Sequence, residues 1–337
     1  MKRVIVILLL VAIVVVAGVA ALGWQSYRDL DTRALIPDGS SARVVTVEPG
    51  TSFAALAGRL TDLGLLDSSW PLRLYARYSG AASRIQAGEY RIEPGMTALE
   101  LLATMVSGEV VRYRLTVVEG WSYRELIAAV HSHEAIETTL EASAPEALMT
   151  ALERPGEHPE GRFLPETYRF TRGTTDREIL QRAYDAMARV LADEWAGRAD
   201  GLPLDSPYEA LILASIVEKE TAVAGERQRI AGVFVRRLRK GMRLQTDPTV
   251  IYGLGEAFDG NLRRRDLRAD TPYNTYTRSG LPPTPIALPG RASIHAALHP
   301  AEGDALYFVA RGDGSHVFSS TLEAHNRAVR RYQLGEN

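Results

Sequence analysis

The chain has 337 residues and a net charge of −2, with 46% hydrophobic and 24% charged residues, which predicts a globular protein of two or three domains. The near-neutral charge argues against a nucleic-acid-binding protein, because such proteins normally carry a basic surplus. There is no cysteine, which excludes thiol catalysis, disulfides and zinc–thiolate sites.

The N-terminus predicts a membrane anchor. The run Val4–Leu22 contains no charged or polar side chain and follows Lys2 and Arg3. As a helix it would be roughly 28 Å long, close to the hydrocarbon thickness of a bilayer. A cleavable signal peptide is the alternative, but its apolar region is usually shorter. Residues 1–24 are therefore predicted to be a single transmembrane helix, with the N-terminus in the cytoplasm and the rest of the chain outside it.

A polar segment and three near-repeats follow. Residues 25–42 are mostly polar and contain proline and glycine, so they are predicted to be a tether. Each repeat is typical of a short strand, a tight turn and a capped helix. The repeats begin with Val45–Ser52, Tyr90–Thr97 and Leu115–Ser122. Their unequal spacing favours small α+β modules over a solenoid.

The helices of the second and third repeats begin with capping boxes, formed by Thr97 with Glu100 and by Ser122 with Glu125. The first two repeats resemble the LysM-like fold of cell-wall-binding modules. Residues 43–130 are accordingly predicted to be a LysM-like α+β region, with a small structural domain as the alternative.

The strongest helix signal comes after residues 131–200, which are predicted to be mostly helical. Ser206–Glu209 offers an N-cap serine, proline at the first helical position and glutamate at the third. The helix is then apolar on all sides from Ala210 to Val217, except for Ser215. This pattern predicts a central buried helix.

That helix ends in two acids, Glu218 and Glu220. Being two residues apart, they would point roughly 200° apart, so only one of them can act at a given point. Acids at a helix C-terminus oppose the macrodipole, and such local conflicts tend to mark functional sites. An acid against apolar walls would have a raised pKa, as a general acid at neutral pH requires. Two solvated charges are the alternative.

Residues 242–283 form a second stretch rich in chemistry. Amides, hydroxyls and aromatic rings of this kind can hold a sugar through hydrogen bonds and ring stacking. The candidates are Gln245, Thr246, Asp247, Tyr252, Tyr273, Asn274, Thr275 and Tyr276. A plain polar loop is the alternative, and the preceding acidic helix end favours the binding site.

Two other motifs are interpreted as structural. His295 and His299 have helical spacing, but no third metal ligand is evident in the sequence, so ordinary histidines are expected and no metal is predicted. Arg311–Asp313 lies between two apolar runs and predicts a hairpin turn.

Four long motifs carry a resemblance to a known family. They are SIVEKETAVAGER, FVRRLRKGMRLQTDPTVIYGLG, YNTYTRSGLPPTPIALPG and AALHPAEGDALYFVARGDGSHVFSSTLEAHN. With them, nearly the whole chain resembles the MltG/YceG-like family, which are membrane-anchored endolytic murein transglycosylases of bacteria. The resemblance implies an α+β chain with an N-terminal transmembrane helix, small LysM-like modules and a mixed α/β lysozyme-like catalytic domain at residues 131–337.

The resemblance also implies a reaction. Such an enzyme is a lytic transglycosylase that cleaves the bond between N-acetylmuramic acid and N-acetylglucosamine inside glycan strands and leaves 1,6-anhydromuramic ends. One carboxyl group suffices, first as acid and then as base, and no cofactor is implied. The implied location is the bacterial inner membrane with the catalytic domain on the periplasmic side. The implied partners are peptidoglycan strands and cell-wall synthesis enzymes, where the protein would terminate strand elongation.

The resemblance also suggests which glutamate is the acid. Lysozyme-like transglycosylases carry their acid in a Glu-Ser pair near a helix end, and Glu220–Thr221 is the nearest equivalent here. Glu220 is therefore predicted to be catalytic, with Glu218 as the second choice and as support. The predicted substrate-binding residues are Glu218, Gln245, Thr246, Asp247, Tyr252, Asn274 and Tyr276.

Two alternatives stay open at this point. One is a non-catalytic, membrane-anchored scaffold that binds peptidoglycan. The other is a hydrolytic muramidase that uses the same acid and a second carboxylate, for which Asp247 is the candidate.

Overall fold

The computed structural model describes residues 2–140 and 144–335. The fold is mixed α/β with an N-terminal apolar helix, as the sequence predicts. The chain divides into two compact units. Unit 1 runs to Tyr113 and includes Arg169–Arg172, and unit 2 contains Arg114–Tyr168 and the chain from Gly173 onward. The limits given above for the LysM-like region and the catalytic domain stay a prediction.

Unit 1 begins with the apolar helix and continues as a small α+β structure. Its elements are α1 (Lys2–Thr32), β1 (Arg43–Val47), α2 (Phe53–Asp62), α3 (Trp70–Tyr78), β2 (Gly88–Ile92) and α4 (Ala98–Ser107). The α1 helix is long and apolar enough to cross a membrane. Strands β1 and β2 pair antiparallel, with Val45 opposite Tyr90.

The segment 25–42 is folded along much of its length. The α1 helix continues to Thr32, and the backbone N–H of Leu35 donates a 2.8 Å hydrogen bond to the carbonyl of Met96. Leu30, Leu35 and Ile36 are buried in the core of unit 1. These three apolar side chains, scattered in a polar sequence, attach the helix end to the unit.

The core of unit 1 lies between the two-stranded sheet and its helices. Tyr90 is fully buried, and its hydroxyl donates a 2.8 Å hydrogen bond to the carbonyl of Gln86. The capping box of Thr97 and Glu100 is present at the start of α4, as predicted. Each repeat therefore forms a strand followed by a capped helix, because the turn and cap residues specify these elements locally.

Unit 2 contains most of the helices. Its elements begin with β3 (Tyr113–Thr116), α5 (Tyr123–His131), β4 (Ile136–Glu137), α6 (Pro145–Ala151), β5 (Thr167–Phe170), β6 (Thr174–Thr175) and α7 (Asp176–Ala196). The first residue of β3 and the last two residues of β5 are assigned to unit 1. They continue with α8 (Pro207–Glu220), α9 (Arg227–Arg239), α10 (Asp247–Leu254), α11 (Arg264–Arg268), α12 (Arg291–Leu298), β7 (Tyr307–Ala310), β8 (His316–Ser319) and α13 (Leu322–Gln333).

The α8 helix forms the centre of unit 2, as its apolar sequence predicts. The hydroxyl of Ser206 caps it, Pro207 is its first residue, and every residue from Ala210 to Val217 is buried. The hydroxyl of Ser215 donates to the carbonyl of Ile212 at 2.7 Å and accepts from the N–H of Ile286 at 3.0 Å. The one polar group in this stretch is thus satisfied, and α8 is held rigidly by α7, α9 and α12.

The C-terminal part of unit 2 adds a hairpin. Strands β7 and β8 pair antiparallel, with Tyr307 opposite Ser319, and the predicted turn at Arg311–Asp313 connects them. The ring of Phe308 packs edge-on against Phe234 of α9 at 5.8 Å between centroids. The hairpin is thereby fixed to the core and presents His316 toward the end of α8.

Candidate active site

Glu220 is the last residue of α8. The chain leaves the helix at once, because Thr221 adopts an extended conformation with φ −149° and ψ 134°. The hydroxyl of Thr246 donates a hydrogen bond to the Oε1 atom of Glu220. The rigid helix and this hydrogen bond together fix the position of the carboxyl group.

Glu220 faces a cavity of about 530 Å³, which we call cavity A. One wall comes from the end of α8 and from the segment before α10, and another comes from β7, β8 and α13. The residues with polar side chains that line it are Glu220, Arg237, Gln245, Thr246, Asp247, Tyr276, Tyr307, His316, His325 and Gln333. Five of the residues predicted from sequence are thus brought together here: Glu220, Gln245, Thr246, Asp247 and Tyr276.

The electrostatics of this cavity make Glu220 a carboxyl group that can be protonated near neutral pH. Burial raises the pKa of Glu220 to about 7, because an ionised carboxylate loses hydration there. The hydrogen bond from Thr246 opposes this rise in pKa, and the negative charge of Asp247 adds to it. His316 and Arg237 pull the pKa of Glu220 downward.

The segment before α10 adopts a constrained backbone. Gln245 has a φ of +49°, which is uncommon for a residue other than glycine and often marks functional sites. Its N–H donates to the carbonyl of Thr275 at 3.1 Å, and the N–H of Thr246 donates to the hydroxyl of Thr275 at 3.1 Å. The Thr249 hydroxyl lies 2.9 Å from that of Thr275. These buried hydroxyls lock the loop that holds the Thr246 side chain against Glu220.

Asp247 and Tyr276 form a pair in the cavity wall. The Tyr276 hydroxyl donates a 2.5 Å hydrogen bond to Asp247, and burial together with that carboxylate raises the pKa of Tyr276. Asn274 supports this pair from behind and does not line the cavity, since it is fully buried. Its amide donates to three backbone carbonyls, and its carbonyl accepts from the N–H of Tyr276 at 2.9 Å.

Tyr252 lies away from cavity A. Its ring packs edge-on against Tyr273 at 4.9 Å between centroids, and its hydroxyl interacts with the buried carboxyl group of Glu160. Burial raises the pKa of Glu160 to about 7, and this carboxyl also accepts the N–H of Tyr123 at 2.9 Å. Tyr252 therefore belongs to a buried polar cluster, so contact with substrate stays a prediction for Tyr252 and for Asn274.

Glu218 faces a different side of α8. Its carboxylate accepts the N–H of Gly290 at 3.0 Å and lies 3.9 Å from the guanidinium of Arg227. A Cβ atom at position 290 would lie 1.9 Å from Oε1 of Glu119, so the Glu119 side chain would have to move to admit any other residue. Glu218 thus connects the end of α8 to the segment that begins α12.

A second cavity, of about 570 Å³, lies on this side and is called cavity B. Glu119, Glu218, Lys219 and Arg227 are among its lining residues, and Glu220 lines it as well as cavity A. The two acids thus share cavity B, although their spacing predicts different directions. Glu220 lines both cavities, whereas Glu218 lines cavity B and not cavity A.

Two basic residues of cavity A, Arg237 and His316, could not be identified from the sequence. Arg237 is 7% exposed and donates to the carbonyls of Leu244 and Leu306 at 2.6 and 2.7 Å. It therefore connects two backbone segments beside cavity A. Nδ1 of His316 lies 2.7 Å from one carboxylate oxygen of Glu226, and the backbone N–H of His316 donates to the other oxygen at 3.0 Å. Both residues come from elements whose proximity to α8 depends on the tertiary fold.

The histidine pair has a third neighbour that the sequence did not reveal. Side-chain atoms of Glu194, His295 and His299 that could bind a metal lie within 4.8 Å of one another. Both oxygens of Glu194 are already engaged, one with Arg291 at 2.8 Å and the other with Nδ1 of His295 at 2.8 Å. The cluster therefore fits an ion-pair network between α7 and α12.

Comparison with known proteins supports the resemblance seen in the motifs. The model of the YceG-like family matches residues 45–331, which is most of the chain. The chain belongs to the YceG-like family. The site described above lies inside the matched range, so the family assignment applies to the unit that carries Glu220.

Relatives with names and structures extend this comparison. A protein of Bacillus subtilis named endolytic murein transglycosylase is 32% identical, over 89% of this chain and 87% of its own length. A protein of the same name from Streptococcus pneumoniae is 27% identical, over 94% of this chain and 63% of its own length. A crystal structure of a yceG-like protein from Listeria monocytogenes is 31% identical with a TM-score of 0.54, covering 85% of this chain and 98% of that one.

Proposed function

We propose that this YceG-like protein is an endolytic murein transglycosylase that uses Glu220 as its acid. The observation that carries the proposal is a fixed carboxyl group with a pKa of about 7 in a polar cavity. A general acid works best when its pKa lies near the working pH. The names of the relatives in Bacillus subtilis and Streptococcus pneumoniae support the same reaction.

The proposed mechanism needs one carboxyl group. Protonated Glu220 donates its proton to the oxygen of the glycosidic bond between N-acetylmuramic acid and N-acetylglucosamine, and the leaving sugar departs with that proton. The resulting carboxylate then takes the proton of the C6 hydroxyl, whose oxygen bonds to C1 and closes a 1,6-anhydro ring. The Thr246 hydroxyl, which donates to Oε1 of Glu220, holds the carboxyl group in place through both steps.

The neighbours of Glu220 suit a sugar substrate. Gln245, Asp247 and Tyr276 present amide, carboxylate and phenol groups to cavity A, where they would bind hydroxyl and acetamido groups. Glu218 would support the site by holding Gly290 and by lining cavity B. Tyr252 and Asn274 would act indirectly, because they pack behind the walls that face the substrate.

The two cavities also suit cleavage inside a strand. Endolytic cleavage requires that sugars on both sides of the broken bond find room in the enzyme. Glu220 lines cavity A and cavity B, so a strand could extend in both directions from the acid. A site that accepted only a strand end would need room on one side alone.

The remaining parts of the chain would place this activity at the cell wall. The antiparallel pair β1–β2 with its helices supports a LysM-like module in unit 1, and unit 2 would be a lysozyme-like catalytic domain. The α1 helix would anchor the chain in the inner membrane, with the rest of unit 1 and all of unit 2 on the periplasmic side. Cell-wall synthesis enzymes would then be neighbours, and cleavage near them would terminate strand elongation.

The product decides between this proposal and a hydrolase. Purified murein is digested with wild-type protein, Glu220→Gln and Glu218→Gln, and the fragments are analysed by mass spectrometry. We expect wild type and Glu218→Gln to release fragments lighter by one water than hydrolytic ones, and Glu220→Gln to release none. Retained cleavage by a folded Glu220→Gln protein would refute the assignment of the acid.

A hydrolytic muramidase is the second candidate, because Asp247 lines the same cavity as Glu220. In that reaction Asp247 would activate water or attack the sugar. The two reactions release fragments of different mass when they cleave the same bond. Fragments with ordinary reducing ends, lost in Asp247→Asn, would favour the muramidase.

A further inference from the structure

Unit 1 carries an exposed apolar stripe on α3. Trp70, Leu74 and Tyr78 are spaced four residues apart and are 52%, 60% and 92% exposed. This spacing puts the three side chains on one face of the helix. Single exposed apolar residues are common, but a contiguous row of large ones marks an interaction surface.

The stripe lies beside the end of α1. The ring of Tyr27 lies 5.9 Å from that of Tyr75 and 6.0 Å from that of Trp24. An apolar groove of about 330 Å³ lies between the two helices. It is lined by Gly23, Ser26, Tyr27 and Leu30 of α1 and by Trp70, Pro71, Leu74, Tyr75 and Tyr78 of α3.

The position along α1 identifies what the stripe would meet. The apolar run ends at Leu22, and the groove begins at Gly23 and ends at Leu30. At 1.5 Å per residue this is a distance of roughly 2–12 Å beyond the apolar run, and the headgroup layer on one side of a bilayer is about 5–8 Å thick. The stripe would therefore lie at the depth where lipid headgroups and acyl chains meet.

The residue types fit that environment. Tryptophan and tyrosine are enriched at membrane interfaces, because their rings are apolar and their N–H and O–H groups remain hydrated. Arg73 and Arg77 are exposed and flank the stripe on one side, where they can meet anionic headgroups. A helix with aromatic and leucine side chains on one face and arginines beside them is typical of helices that lie in the membrane surface.

We propose that α3 is a membrane-surface helix, and that Trp70, Leu74 and Tyr78 insert into the outer boundary of the bilayer that α1 spans. The proposal rests on the anchoring part of the proposed function and is independent of the transglycosylase reaction. Since Leu30, Leu35 and Ile36 attach α1 to the core of unit 1, this contact would hold unit 1 against the membrane in one orientation.

The natural absence of cysteine allows a direct test with single-cysteine labels. Full-length Leu74→Cys, Tyr78→Cys, Val14→Cys and Ser107→Cys proteins carry a nitroxide and are reconstituted into liposomes of neutral and anionic phospholipid. Collision rates with oxygen, which concentrates in lipid, and with a water-soluble nickel complex then report the depth of each label. Val14 lies within the apolar run, and Ser107 is exposed at the last residue of α4.

We expect labels at Leu74 and Tyr78 to favour oxygen over nickel several-fold more than the label at Ser107, with Val14 deepest. If the labels at Leu74 and Tyr78 collide with the nickel complex as often as the label at Ser107 does, while the label at Val14 is protected in lipid, the surface helix is overturned and the anchor stays intact. A Val14 label in water would overturn the anchor itself. Protection of Leu74 that appears only at high protein-to-lipid ratio would indicate a second copy on the stripe and would also overturn the proposal.

Discussion

Removing the hydroxyl of Thr246 should raise the pKa of Glu220. The substitution Thr246→Val keeps the shape of this buried side chain and removes its hydrogen bond to Oε1. A hydrogen bond to a charged group is worth about 1.5–3 kcal/mol, and one pKa unit corresponds to 1.36 kcal/mol. The pKa of Glu220, about 7 in the wild type, should therefore rise to about 8–9.

Asp247→Asn should move the same pKa in the opposite direction. The negative charge of Asp247 disfavours the ionised form of Glu220, so its removal lowers the pKa. The amide is nearly isosteric with the carboxylate and still accepts the Tyr276 hydroxyl through its oxygen. The two substitutions flank the same carboxyl group and serve as controls for each other.

The measurement is kcat/KM against pH on soluble, uncrosslinked glycan strands. A proton donor must be protonated, so activity should fall as the pH rises through the pKa of Glu220. This fall should occur at higher pH in Thr246→Val and at lower pH in Asp247→Asn than in the wild type. A fall at the same pH in all three proteins, or a shift in one common direction, would refute Glu220 as the group that titrates.

Three further outcomes concern stability. Glu220→Gln should stabilise unit 2 at pH 8 by up to about 3 kcal/mol but should have no such effect at pH 4, as urea unfolding at both pH values would show. The pKa of Glu220 is about 7 in the folded protein and 4.5 in the unfolded chain, so the wild type loses stability as the pH rises from 4.5 to 7. Glu160→Gln should give the same pH-dependent gain in stability, and murein cleavage should persist in this variant. Loss of cleavage would indicate that Glu160 takes part in the reaction. Leu211→Ala should cost about 2–5 kcal/mol of unfolding free energy at every pH, since this side chain is fully buried in α8, and a cost below 1 kcal/mol would contradict a rigid α8.

Local signals explain what could be predicted from the sequence. The start of α8, the capping boxes and the turn at Arg311–Asp313 each depend on residues within a few positions of one another. The contiguous triplet Gln245–Asp247 was predicted as a group for the same reason, and it reaches cavity A as a group. Composition and spacing suffice where the chain itself brings the residues together.

The direction in which each side chain points was harder to predict than which residue types form the site. Asn274 and Tyr276 are two residues apart, and the sequence offers both as polar groups for a substrate. The structure turns Tyr276 into cavity A and buries Asn274 against three carbonyls, because the loop must satisfy its own backbone. A loop without regular periodicity gives no pattern from which the inward and outward side chains could be assigned.

The sequence did not reveal the site residues that only the tertiary fold brings close to one another. Arg237 sits in an amphipathic helix among other arginines and lysines, and nothing in its immediate sequence separates the buried cation from its exposed neighbours. The Glu226–His316 contact joins positions 90 residues apart, and that of Glu194 with His295 joins positions 101 apart. Such contacts require the packing of α7 against α12 and of the β7–β8 hairpin against α9, which the local sequence pattern does not specify.

The two acids at the end of α8 differ because the helix rotates between them. Glu218 points to Gly290 and Arg227, so one oxygen accepts a backbone N–H and the other lies near a guanidinium. These contacts occupy its carboxylate and connect α8 to α12. Glu220, two residues on, meets one hydroxyl and opens into both cavities. An acid with a free face can exchange a proton with a substrate, whereas a carboxylate that holds the fold cannot leave its partners. In the proposed mechanism, the same helix end would therefore supply both a structural support and the proton donor.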